Sequence, residues 1–348
     1  MFKKYKKIKE LNKGYSGITY LVEKENIKYV LKRQKILPKE KKKDYKYQIW
    51  REIDFGNFVN SLSKTKQNYF MKMYEYDLFE CDYKHKPRYV DPNFKKELDN
   101  RNKSKYCVDM LLEYKGNVLD DLLQKKLSLY ERYCMIIQIL YALEIMRENK
   151  YMHQDIHPGN ITYEKTSNKI KIYGKELKCK YQYSLIDYGL VTHKKYNKTK
   201  KEKKEYEDLY DDNNDVSFEL INQIILQTYR LYGIYIEKKI KFPERNIKRE
   251  LMEFMSNKKI WKEIKDILYK KDNKKWFDEF ESKNKMEEKW ELINRIYFLF
   301  SAFNRKKYLK IIGWKEYLPL LLPKDDLLYM VKNATNNKKI IKYLLNKL

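Results

Sequence analysis

Glycine is scarce in this chain, nine in 348 residues, against an ordinary usage of about 7%. A residue without a Cβ is needed where the backbone turns through positive φ or lies close against another group. A chain that otherwise avoids glycine therefore marks its constrained backbone wherever it groups the residue. Gly14, Gly17, Gly159 and Gly189 fall in three short segments, and two of the four histidines, His153 and His157, fall in the segment that carries Gly159. Residues 11–32 and 151–190 are thus the places to look for chemistry.

The first segment reads LNKGYSGITYLVEKENIKYVLKR. Apolar alternation at Ile18, Tyr20 and Val22, a polar turn over Glu23–Lys28, and Tyr29-Val30-Leu31 before Lys32 predict antiparallel strands, with Gly14 and Gly17 at the first turn. Glycines there let backbone N–H groups approach a phosphate chain. Alone, a Gly-x-x-Gly is an ordinary hairpin turn and Lys32 an ordinary surface lysine. Further on, Glu52 sits in YQIWREIDFGNFVNSL, where Ile49, Ile53 and Val59 give a helix one apolar side. A buried Lys32–Glu52 pair becomes possible.

The second segment is more specific. Tyr133, Ile136, Ile137, Leu140, Leu143 and Met146 recur at helical spacing, so a core helix over Tyr130–Asn149 leads into YMHQDIHPGNITYE. Asp155 and Asn160 bracket a Pro-Gly turn. A strand pair, Ile170–Tyr173 with Tyr183–Ile186, then delivers Asp187 in LIDYGL.

In this order the segments resemble the eukaryotic-type protein kinase superfamily, from Gly14 to about Gln223. LNKGYSGITYLV is similar to the glycine-rich loop, YVLK to the nucleotide-binding lysine segment, and MLLEYKGNVLDDLL to the hinge. HQDIHPGN resembles the catalytic loop, DYG the metal-binding triplet, and DVSFELINQII from Asp215 the helix that props that loop. The resemblance implies an α+β, bilobal fold with a small antiparallel β-rich lobe and a large helical lobe. It implies ATP and Mg²⁺ as cofactors. Asn12, Gly14 and Gly17 would close over the phosphates, and Lys32 would hold them, braced by Glu52. Leu112 would guard the adenine pocket, with Glu113 and Tyr114 as the hinge. Asp187 and Asn160 would carry the metal, Asp155 would orient the attacking hydroxyl, and His153 would brace the loop. The lysine-rich, glycine-poor style resembles protein kinases of large DNA viruses or AT-rich protists.

The departures narrow this. Asn12 stands where the loop's first glycine is usual, and Ser16 where its tip has an aromatic. Gln154 replaces the arginine that reads a phosphorylated activation segment, so control by such phosphorylation is not expected. His157 stands where Ser/Thr kinases carry lysine, and the HxDxHPGN spelling also occurs in small-molecule kinases of related fold. Tyr188 replaces phenylalanine and adds a hydroxyl to satisfy.

Residues 1–113 are expected to form the small lobe, interrupted by a charged surface insertion over about 80–105 that carries Pro87 and Pro92. Residues 114–235 would hold the catalytic loop and activation segment. Residues 236–348, with an apolar helix side at Trp290, Ile293, Tyr297, Phe300 and Phe303, would be a divergent helical remainder or an appended subdomain.

The net charge of +28, from 77 Lys+Arg against 49 Asp+Glu, suits an acidic partner or non-specific nucleic-acid attraction. Lysine is accompanied here by abundant Asn, Ile and Tyr, residues that share A/T-rich codons, and a base-composition bias would produce the same charge with no partner behind it. The basic half of HKKYNKTKKEKKEYEDLYDDNND is either a dock for an acidic or phosphorylated protein substrate or a solvated loop. Cys81, Cys107, Cys134 and Cys179 are scattered, which suggests neither a disulfide framework nor a zinc site and points to a reducing, intracellular compartment. No apolar run reaches the length of a membrane span. The expected activity is transfer of the ATP γ-phosphate to protein Ser/Thr hydroxyls. The alternatives are a pseudokinase scaffold, for which Asn12 and His157 argue, and a small-molecule kinase.

Overall fold

Side chains that alternate along residues 6–36 build a three-stranded meander, β1 (Lys6–Lys13), β2 (Gly17–Lys24) and β3 (Ile27–Ile36). Glu25 and Asn26, both at positive φ (54° and 63°), close the second hairpin as a two-residue turn. In this computed structural model the described residues are 4–14, 17–87, 95–123, 127–196 and 336–348, with positions 203, 326, 329, 330 and 333. β4 (Met73–Glu80) and β5 (Tyr106–Glu113) complete an antiparallel five-stranded sheet in the order β1-β2-β3-β5-β4.

The two-residue period of a strand divides this sheet into two faces. Val30 and Lys32 lie on the inner face beside Leu112 and Met110. There Val30, Met110 and Leu112 join the main core with Ile49, Ile53, Phe55 and Val59 of α1 (Gln48–Ser61). Leu31 and Arg33 lie on the outer face beside Leu111 and Asp109. Val22, Leu31 and Leu111 form a small separate cluster there, flanked by Tyr5, Tyr20 and Tyr29. A short α2 (Lys64–Gln67) follows α1, and α3 (Lys95–Lys103) lies between β4 and β5. The segment expected as a plain surface excursion is therefore partly folded, and His85 and Leu98 within it are buried.

Beyond β5 come β6 (Asn117–Val118), α4 (Leu119–Leu123) and α5 (Leu129–Glu148). Ser128 caps α5 by accepting the Glu131 N–H at 3.2 Å. Fourteen of its residues, Arg132–Leu140 and Ala142–Met146, are buried, so α5 is a core helix on nearly every side. β7 (Tyr151–Met152), β8 (Ile161–Lys165), β9 (Ile170–Ile172), β10 (Lys175–Leu177), β11 (Tyr181–Leu185) and β12 (Thr192–His193) follow. A terminal α6 (Asn337–Leu345) packs on α5. The buried Asp326 carboxylate accepts the hydroxyls of Tyr133 on α5 and Tyr343 on α6.

Two expectations are corrected. The strands near 170 and 183 do not pair with each other. Tyr173 and Gly174, at φ 46° and 83°, fold β9 directly back onto β10, which frees β11 to pair with β8. The cysteines are also not isolated: they form the disulfides Cys81–Cys107 and Cys134–Cys179. Separations of 26 and 45 residues hide pairs that adjoining strands, and α5 against the β10–β11 connection, bring to Cα distances of 5.8 and 5.9 Å. The argument from scattered spacing to a reducing compartment thereby loses its ground.

The Asp215 segment, the helix over 290–303 and nearly all of 197–325 lie outside the described residues. Among the described residues no helix is long and apolar enough to cross a membrane.

Candidate active site

Lys32 projects from the middle of β3 onto the inner face and is 7% exposed. Its Nζ donates to Glu52 Oε1 at 2.6 Å and to Asp187 Oδ1 at 2.8 Å. Burial opposes the charge on this ammonium, but Asp187 and Glu52 outweigh it and raise the Lys32 pKa. The same surroundings split the two carboxyls. Lys32 holds Asp187 below the usual carboxylate range, whereas burial pushes Glu52 up despite Lys32. Glu52 Oε2 accepts from Gln34 Nε2 at 3.1 Å. Gln34 was missed in the sequence, although it lies two positions from Lys32 on the same strand and so on the same face.

Asp187 follows β11 in a left-handed conformation, φ 60°, which Asp tolerates better than most residues. Its Oδ1 takes Lys32 and the Gly189 N–H at 3.4 Å, while Oδ2 has no partner among the described residues. His153 sets this turn. Its Nε2–H donates to the Ile186 carbonyl at 3.0 Å, and burial lowers its pKa and keeps the ring neutral. Its Nδ1 is buried without a partner among the described residues. The Tyr188 hydroxyl donates to the Leu185 carbonyl at 2.7 Å and accepts the Met71 N–H at 2.7 Å, so the added oxygen is satisfied.

The turn between β7 and β8 carries Asp155 and Asn160. The buried Asn160 donates Nδ2 to the Asp155 carbonyl at 2.8 Å and to its Oδ2 at 3.0 Å. Its own carbonyl accepts the Ile186 N–H at 2.9 Å, which ties the turn to the approach of Asp187. His157 caps the turn through Nδ1, accepting from the Gly159 N–H at 3.1 Å, and sets Nε2 3.9 Å from Asp155 Oδ1.

The glycine loop is less uniform than its spacing implies. A Cβ on Gly17 would stand 2.2 Å from the Arg33 carbonyl, whereas one on Gly14 would meet nothing within 4 Å. Asn12 turns its side-chain oxygen back to the Lys13 N–H at 2.7 Å. At the end of β5, Leu112 is buried beside Val30, and the Glu113 N–H donates to the Lys72 carbonyl at 2.8 Å. The Glu113 carboxylate is flanked by Lys72 and Lys115 at 3.5 and 3.3 Å, and Tyr114 packs against the core.

The donor set suits a hard divalent cation. Among the described residues Asp187 Oδ2 has no partner, and because Asn160 Nδ2 is committed to Asp155, the Asn160 side-chain oxygen Oδ1 is the end left for a metal. Among the described residues no cluster of three or more His, Cys, Asp or Glu gathers at metal-binding distance. Two oxygen ligands completed by phosphate and water are what Mg²⁺ ordinarily takes, since it dehydrates reluctantly.

Behind the site, Asp54 gathers donors from three elements. Tyr45, Tyr151, Tyr196 and Lys195 reach its carboxylate at 3.2, 3.1, 2.6 and 2.6 Å. Nothing in the sequence singled these residues out. Asp54 lies about 200° around α1 from Glu52, and its partners are remote in the chain. No family model matches this chain, and no curated protein matches it significantly.

Proposed function

We propose that this chain is an ATP- and Mg²⁺-dependent protein kinase that transfers the ATP γ-phosphate to Ser/Thr hydroxyls. In this reading the small lobe spans residues 1–113 and the helical lobe begins at 114. The observation that carries it is the buried Lys32 ammonium clasped by carboxylates 20 and 155 residues away in sequence, one on a helix and one on a strand-ending turn. An ammonium has three donors. Two are engaged, leaving one for the α- and β-phosphate oxygens. Glu52 fixes the side chain along the inner face, and Asp187 and Asn160 present the two metal-facing oxygens. Mg²⁺, when bound, neutralises charge on the phosphates.

Asp155 accepts or orients the hydroxyl proton of the acceptor. Its side chain is 41% exposed, open to an incoming residue, while Asn160 pins the other carboxylate oxygen. His153 works at one remove by fixing the turn that aims Asp187.

The test is transfer from labelled Mg²⁺-ATP to an acceptor panel of the protein itself, casein, a basic protein and an aminoglycoside, with Asp155→Ala alongside. Label on a protein acceptor that disappears in the variant supports the reading. Label on the aminoglycoside alone replaces it with small-molecule phosphorylation. Nucleotide binding with no transfer to any acceptor replaces it with a scaffold.

A further inference from the structure

The insertion between β4 and β5 sends one buried side chain onto the glycine loop. His85, 2% exposed, sets Nε2 at 2.7 Å from the Gly14 carbonyl and Nδ1 at 2.7 Å from the Tyr83 hydroxyl. A carbonyl only accepts, so Nε2 carries the hydrogen, and in the neutral ring Tyr83 donates to Nδ1. The order is thus Tyr83 O–H to His85 to Gly14 C=O. Burial, then Tyr20, pushes the Tyr83 pKa up to about 12. Tyr83 also lies close enough to Arg33 for the two charges to interact.

The histidine is held from behind. Asn102 accepts its backbone N–H at 2.7 Å and donates to its carbonyl at 2.8 Å. Neighbouring Arg101 anchors α3 by donating to Glu40 at 2.8 and 3.0 Å and to the Lys35 carbonyl at 3.1 Å. Lys35 Nζ donates to the Cys81 and Ser104 carbonyls at 3.2 and 2.5 Å, and Cys81–Cys107 closes the base of the insertion. The contacts at Lys35 end on β3, the strand that carries Lys32. The insertion therefore fixes Gly14 to the same strand that would hold the phosphates.

We propose that His85 is a positioning residue for nucleotide binding. By holding the Gly14 carbonyl, it keeps that oxygen from swinging toward anionic phosphate. The proposal rests on the nucleotide-binding reading above. In a segment with Asn12 in place of a glycine, and with open space where a Gly14 Cβ would lie, the constraint on the Gly14 carbonyl comes from the insertion.

The test is calorimetric titration of the full chain with Mg²⁺-ATP, comparing wild type, His85→Phe, which keeps a ring without the donor, and His85→Gln, which keeps an amide donor at similar reach. The expected result is about tenfold weaker binding for His85→Phe, the scale of one lost buried hydrogen bond, and near-wild-type binding for His85→Gln. A KM for ATP that rises with kcat largely kept would separate positioning from general loosening. Wild-type affinity in His85→Phe, or equal weakening in both variants, overturns the proposal. If His85→Phe does not fold, Asn102→Ala must weaken binding similarly, and unchanged affinity there overturns it. A folded wild type that takes up no Mg²⁺-ATP overturns the nucleotide reading and this proposal together, an outcome distinct from the others.

Discussion

Asp54 and Lys195 meet at 2.6 Å, joining the helix that carries Glu52 to the segment that follows Asp187. Tyr151 and Tyr196 donate to the same carboxylate oxygen, so one anion ties α1, β7 and the turn over Lys194–Tyr196. Burial alone would raise the Asp54 pKa, but the hydrogen bonds from Lys195 and Tyr196 outweigh it and hold it low. The tie is complete without a phosphate. Asp54→Asn keeps the shape and loses the charge. The expected outcome is a loss of about 2 kcal/mol in stability and at least a tenfold fall in phosphoryl transfer as Glu52 loses its fixed position. Denaturant unfolding and single-turnover kinetics check both, and unchanged transfer would show that α1 is held without Asp54.

Lys32 and Glu52 are coupled through burial. Lys32→Met leaves a buried carboxylate without its cation, a change that costs about 3–5 kcal/mol. Adding Glu52→Gln removes that uncompensated charge. The double variant is therefore expected to be more stable than Lys32→Met alone, with a coupling energy of about 1–3 kcal/mol. Neither variant should transfer phosphate. Additive stabilities in the double-mutant cycle would mean that water or rearrangement satisfies Glu52 when Lys32 is gone.

The two glycines of the loop should behave differently. Gly17→Ala drives a Cβ to 2.2 Å from the Arg33 carbonyl, and backbone must move, so about 1–3 kcal/mol of stability is lost. Gly14→Ala points into open space and should stay within about 0.5 kcal/mol of wild type. Thermal denaturation of the two variants decides it.

Acid should destabilise the fold before most carboxylates titrate. Burial, then the Lys195 cation, lowers His193 to about 4, and burial lowers His153. In the unfolded chain both revert to about 6.5. Between those values the unfolded state binds more protons, so the stabilisation present above pH 6.5 is lost as pH falls toward 4. Unfolding midpoints measured from pH 7 to pH 4 should drop through that window, and His193→Gln should flatten part of the drop. A midpoint independent of pH across it would show that these rings are protonated in the folded protein.

Much of the local architecture was legible. The strand alternation around Ile18, Tyr20 and Val22, the apolar side of the helix bearing Glu52 and the spacing from Tyr133 to Met146 each reflect contacts repeated within a few residues. The α5 boundaries fell within one residue of Tyr130–Asn149. Asp155 and Asn160 were readable as a unit because one short turn holds both.

Pairings across long separations were not legible. Tyr173-Gly174 is a hairpin signal, yet the partner of β11 depended on where β8 lay. Cys81 and Cys107 are close only because β4 and β5 adjoin. The sequence by itself determined which residue types were present for phosphate and metal chemistry, and the local elements that carry them, because 3.6- and 2-residue periods are written in neighbouring side chains. Only the tertiary structure decided that Lys32 meets both Glu52 and Asp187, that Asp54 collects four donors, and that His85 reaches Gly14. Those contacts exist because burying the apolar faces of the sheet, α1 and α5 brings remote polar groups together, and a polar group buried there is costly unless it is paired.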